Sequence, residues 1–248
     1  MPTATLRRTV AGAGPAALAG LVVLLEIAYP LVDGHLRDQL TVATVVVFFS
    51  ATVSHAALSR GAAWALGYTA ISVGTGLAAE ALGVATGLPF GDYVYGGSLG
   101  WQVLGVPVVV PLAWAMFAYP CLIVGRRLGH PVLAGAMALA SWDLFLDPQM
   151  VQAQHWRWLH VTHHLPGVPH VPLSDFAGWL LVATLLMAGL QLLPSRQADD
   201  RVPGALFLWT YASSVLANAV FFGRLGVAVV GGVAMGIVAL PYARTLTR

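Results

Sequence analysis

The chain has 248 residues, 58% of them hydrophobic and 9% charged, with a formal charge of +2 and a mean hydropathy of +0.78. A soluble chain of this length carries about a quarter charged residues to cover its surface, so a water-soluble globule is excluded. The scattered charges form no basic patch, which argues against a nucleic-acid partner, and the single Cys121 excludes both an intrachain disulfide and a cysteine-rich zinc site.

A membrane-crossing helix needs about 20 mostly apolar residues. That template predicts about eight, at 14–32, 39–58, 63–84, 104–124, 131–147, 175–193, 204–222 and 225–243. The first is read as a span rather than a cleaved signal peptide, because it lacks a small-residue cleavage site and more spans follow it. No long polar linker divides the chain, so residues 1–248 are expected to form one all-α domain, a polytopic helix bundle embedded in the membrane. Every basic residue is arginine. With the N-terminus inside, the inner segments hold Arg7, Arg8, Arg60, Arg126, Arg127, Arg196, Arg201, Arg244 and Arg248, and the outer ones hold Arg37, Arg157 and Arg224. Cytoplasmic flanks attract arginine, which predicts both termini on the cytoplasmic side of the plasma (inner) membrane.

Small and polar residues recur every three or four positions in the third span (Ser72, Gly76, Glu80, Gly83) and the seventh (Tyr211, Ser214, Asn218). Such stripes let helices approach closely and mark inward faces. No repeat at a fixed period is visible, which argues against a transporter built from duplicated halves.

Two outward loops interrupt the spans. Residues 87–107, GLPFGDYVYGGSLGWQVLGVP, are rich in glycine and aromatics; residues 147–179 hold five of the eight histidines and three tryptophans. Both are too apolar for free surface loops and are expected to fold back into the membrane interface. An aromatic belt at the lipid headgroups is the simpler account of their tryptophans and tyrosines.

Five acids stand near these loops: Glu80, Asp92, Asp143, Asp147 and Asp175. An intramembrane carboxylate is a functional candidate by default. Asp143 and Asp147 lie four residues apart, so on a helix they point the same way. Glu80 is expected at a similar depth. Carboxylates crowded in an apolar pocket cannot all ionise, which leaves a protonated acid at neutral pH. Against this, Asp147 with Pro148 could simply end the fifth helix. His160, His163 and His164 spell HxxHH, a spacing used by di-iron membrane oxygenases, but those enzymes need several such boxes. No metal site is expected.

The segments TGLPFGDYVY (86–95), LGVPVVVPLAW (104–114), WDLFLDPQM (142–150), HWRW (155–158) and GVPHVPLSDFAGW (167–179) resemble the carotenoid biosynthesis membrane proteins. The best understood members are the CruF-type carotenoid hydratases, among them the bisanhydrobacterioruberin hydratases. The resemblance covers residues 80–179 and implies cofactor-independent addition of water across the terminal C1=C2 double bond of an acyclic carotenoid. It implies Glu80, Asp143 and Asp147 as the acids, and Phe90, Tyr93, Tyr95, Trp156, Trp158 and Trp179 as aromatics around the substrate, with Trp142 and Asp175 beside them. The family usually has asparagine where Asp175 stands, and the histidines at 160–164 are not a family feature. The implied partners are a bilayer-dissolved carotenoid, the lipid itself and other carotenoid biosynthesis enzymes.

Hydration begins with protonation of the less substituted alkene carbon and leaves a tertiary cation, which water captures. That chemistry needs a protonated acid, aromatic faces beside the cation and a base for the water. Asp143 is the expected donor, because Trp142 adjoins it and Asp147 lies one turn away as the water-holding base; Glu80 would keep Asp143 protonated or exchange roles with it. A carotenoid cyclase or isomerase would share the protonation step. A transporter or lipid-binding protein would use the acids as proton relays.

Overall fold

The computed structural model describes residues 3–247, with side chains from residue 13 onward. Arg248 and the side chains of Arg7 and Arg8, all counted in the flanking-charge bias, lie outside the described residues. Eight helices follow in chain order: α1 (Thr3–Ala28), α2 (Gly34–Arg60), α3 (Ala62–Thr86), α4 (Val109–Arg127), α5 (Leu133–Gln152), α6 (Leu173–Leu190), α7 (Arg201–Leu216) and α8 (Leu225–Leu246). Four short strands lie between them: β1 (Tyr93–Tyr95), β2 (Gln102–Val103), β3 (Val106–Pro107) and β4 (Trp156–Trp158).

Seven of the helices are long and apolar enough to cross a membrane. The eighth, α5, carries Asp143 and Asp147 and packs against α4, α6 and α8. A helix enclosed by its neighbours meets protein rather than lipid, so it can keep polar side chains that a lipid-facing helix could not. On the outside of the bundle, Leu24, Leu66, Val233 and Ile237 are exposed, as lipid contact requires.

Two of the differences from the expected boundaries bear on the site. Residues 104–108 are not helical: β2 and β3 form a hairpin whose turn is Leu104 and Gly105, both at positive φ. Two such residues between paired strands match the strand twist and stop the fourth helix from starting earlier. At α5 the reverse holds. Pro148 sits inside the helix, which continues to Gln152, so Asp147–Pro148 does not end it.

The stripe on α3 faces inward: Ser72, Gly76, Glu80 and Gly83 are all buried. A side chain at Gly76 would collide with Trp114 of α4, its Cβ meeting the Trp114 Cβ at 2.9 Å. The missing side chain therefore brings α4 close to Glu80. Of the stripe on α7, Asn218, in the π turn Ala217–Phe221 that prolongs the helix, is buried, while Tyr211 and Ser214 are partly exposed.

Candidate active site

The two aromatic loops do fold back, and they do so onto each other. β1 pairs antiparallel with β4, with Tyr93 opposite Trp158, Val94 opposite Arg157 and Tyr95 opposite Trp156. Side chains alternate across a strand. Hence all four paired aromatics point toward the bundle, whereas Val94 and Arg157 point away. Their rings pack across the ribbon, Tyr93 with Trp158 at 6.0 Å and Tyr95 with Trp156 at 5.8 Å. Trp158 Nε1 donates to the Phe90 carbonyl at 3.0 Å and fixes the ribbon to the loop before it.

Beneath this lid lies a cavity with about 640 Å³ of empty space including its mouth. Phe90, Tyr93, Tyr95, Trp142, Trp156, Trp158 and Trp179 line it together with Glu80, Asp147 and Asp175. Trp114, from α4, completes the wall, stacked on Trp179 with ring centroids 3.8 Å apart. Trp142 meets Trp179 edge to face at 6.2 Å. A lining so rich in aromatic and aliphatic side chains suits a hydrophobic ligand.

The acids occupy two separate polar settings. Glu80 is 5% exposed, and three donors reach it: Tyr93 Oη at 2.6 Å and Tyr95 Oη at 2.7 Å on Oε2, and Trp114 Nε1 at 2.9 Å on Oε1. Both oxygens thus serve as acceptors, the pattern an ionised carboxylate offers. Burial first, and the Glu80 charge second, push the Tyr93 and Tyr95 phenols above their usual range, so both remain protonated donors.

Asp143, Asp147 and Asp175 form the second setting, all nearly inaccessible, with one oxygen of each within 4.8 Å of the others. No basic side chain among the described residues forms an ion pair with any of them. Three carboxylates so placed must hold protons or a cation to balance their charge. The three are also the only group of metal-capable side chains, among the described residues, close enough to share an ion. Asp147 Oδ1 accepts from Trp156 Nε1 at 3.0 Å, whereas its Oδ2, like Asp143 Oδ1 and Asp175 Oδ2, is buried with no donor among the described residues. Buried oxygens so placed suit carboxyl groups that hold protons between them.

Three expected features sit elsewhere. Asp143 belongs to the acid cluster but is not among the residues that line the cavity. Asp92 is exposed and lies 3.9 Å from His160 outside the lid. His163 and His164 are exposed as well. Sequence reasoning missed the ribbon and the role of Trp114. The first had a signal: Y-V-Y and W-R-W both alternate with the period of a strand. The second lay inside the quoted 104–114 motif but shows no partner until α4 packs on α3.

The sequence model of the family described as carotenoid biosynthesis protein matches residues 40–241. Among curated proteins, the chain is similar to a bisanhydrobacterioruberin hydratase from Haloarcula japonica, 32% identical over 191 residues. The match covers 68% of this chain and 60% of that protein, so the chain spans less than two thirds of its relative's length. No solved structure matches. The family match takes in α3 to α7 entire, and with them every wall of the aromatic cavity; the chain belongs to the carotenoid biosynthesis protein family.

Proposed function

We propose that the protein adds water across the terminal C1=C2 double bond of an acyclic carotenoid, with Asp147 as proton donor and Glu80 as the base that holds the water. The observation that carries this reading is the contrast among the carboxylates facing one cavity. Asp147, whose other oxygen Trp156 fixes, and Asp175 each keep a buried oxygen without a donor, whereas Glu80 takes three. The donor role passes from Asp143 to Asp147 because a general acid must reach the proton's destination, and only Asp147 and Asp175 of the cluster line the cavity. Asp143 and Asp175 then act as positioning residues that keep the Asp147 proton in place.

The alkene π pair takes the proton from Asp147 Oδ2 and forms the C2–H bond, which leaves a tertiary cation at C1. Faces of the Trp114–Trp179 stack, Trp142 and Trp156 stabilise it by cation–π attraction. Water oxygen then donates a pair to C1, and the proton it loses passes to Glu80 and returns to Asp147 for the next cycle. No cofactor takes part. A long polyene dissolves in the bilayer, and only its end has to enter the cavity. The relative's name as a hydratase supports the same reaction class. With both termini cytoplasmic, in the plasma membrane, the lid faces outward.

Incubation of the purified protein with lycopene in D₂O, followed by mass spectrometry, tests the reading. The expected product has gained one water and carries one non-exchangeable deuterium at C2. A deuterated isomer of otherwise unchanged composition would make the protein a cyclase or isomerase. Unaltered pigment would favour a transporter or lipid-binding protein.

A further inference from the structure

A second cleft adjoins the aromatic cavity, bounded by α1, α2, α5 and α7, with about 760 Å³ of empty space including its mouth. The two share a wall made of Thr41, Val45, Met116, Trp142, Leu146 and Met150. The second cleft has a different chemical character. The hydroxyls of Tyr29, Thr44 and Thr210 line it, each buried and without a hydrogen-bond partner in the protein. Tyr29 is 8% exposed and Thr210 only 4%. Glu26 lines it too, one oxygen accepting from Trp209 Nε1 at 2.8 Å and Ser213 Oγ at 3.3 Å. Buried hydroxyls in a hydrocarbon setting are costly unless something donates to them or accepts from them. A polyene can do neither. Water can do both, and needs only two to four polar neighbours to be held.

We propose that this cleft binds the waters consumed by the reaction and passes them, beside Thr41 and Trp142, to the cation formed in the aromatic cavity. The proposal rests on the hydration reading. Each turnover uses one water inside a bundle whose acid cavity is walled chiefly by apolar side chains, and the adjoining cleft is the polar neighbour that can supply it. If the supply fails, the cation has a second exit: it loses a proton from an adjacent carbon back to a carboxylate and becomes an isomeric alkene. The cleft would therefore set the partition between alcohol and isomer, while protonation itself depends on the acids.

The test replaces hydroxyls by methyls of the same shape, Thr210→Val and Thr44→Val, and measures lycopene turnover in D₂O. Loss of one hydrogen bond to a held water should cut the ratio of hydrated product to deuterated isomer about fivefold, with total deuterium uptake at C2 unchanged. Ser214→Ala, at a partly exposed lining position, repeats the measurement where a threonine variant fails to fold. An unchanged ratio in folded variants overturns the inference, as does a raised KM for lycopene at constant ratio, which would make the cleft a carotenoid subsite. A wild-type protein that forms no hydrated product defeats the functional reading itself; a hydrating wild type with indifferent variants defeats the water cleft alone.

Discussion

Replacement of Asp147 by asparagine removes the proton and little else. The side chain is 2% exposed, and its Oδ1 already accepts from Trp156 Nε1 at 3.0 Å. An asparagine oriented with its carbonyl in that place keeps the bond and puts its amide where Oδ2 stands. Asp143 and Asp175 each have an oxygen within 4.8 Å of an Asp147 oxygen. A neutral amide in place of one of three crowded carboxyls relieves the crowding that the native acid cluster has to absorb by holding protons. The variant should consequently fold, and its thermal midpoint in detergent should equal or exceed that of the native protein. Catalysis should respond in the opposite direction. Loss of a positioned general acid costs ~10²–10⁴-fold in rate, which is about 3–5 kcal/mol of barrier at 1.4 kcal/mol per decade. The assay is deuterium uptake at C2 of lycopene, because it reports protonation whatever becomes of the cation. Asp143→Asn, by contrast, should retain measurable uptake, since Asp143 does not line the cavity. If Asp147→Asn protonates lycopene at the native rate, or if Asp143→Asn is the dead variant of the two, the assignment of the donor from cavity geometry is refuted.

Glu80→Gln leaves one acceptor oxygen for three donors, so Tyr93, Tyr95 or Trp114 loses its partner; stability should fall by about 1–3 kcal/mol, hydration should be lost, and denaturant titration alongside product analysis reads both. Burial holds the His155 imidazole below its usual range while Ser98 Oγ lies 2.6 Å from its Nδ1. A lowered folded-state value favours the neutral ring, so its contribution is complete above the unfolded value near 6.5 and is lost as pH falls below it. Tryptophan fluorescence of the lid should accordingly loosen under mild acid, and His155→Gln should flatten that pH dependence. Because charge balance in the aspartate cluster is assigned to protons, hydration should survive exhaustive chelation; activity abolished by chelator and restored by a divalent cation would assign the cluster to a metal instead. A reporter fused at either terminus should read cytoplasmic and one inserted near residue 95 or 160 should not, with opposite readings at the two termini showing that α5 does not cross.

Composition and hydropathy alone determined that this chain lies in a membrane, because the cost of exposing apolar surface to water is a property of residue content and needs no contacts to be known. The spacing of Ser72, Gly76, Glu80 and Gly83 likewise marked the inward face of α3, since helical period is local. The quoted loop motifs identified the family, and most of their aromatics reach the cavity with Asp147 and Asp175, whereas Asp92, Asp143, Phe145 and Phe176 do not. What the sequence could not supply was which carboxylate faces which donor. Trp114 lies 34 residues from Glu80, and Tyr93 meets Trp158 across a ribbon that joins two separate loops. Those pairings depend on how α4 seats against Gly76 and on the register of β1 with β4. Asp143 and Asp147 share a helical face in sequence, yet only Asp147 lines the cavity. The proposed donor rests on that difference, because hydrogen-bond partners and surroundings, not residue type alone, decide which carboxylate carries a proton.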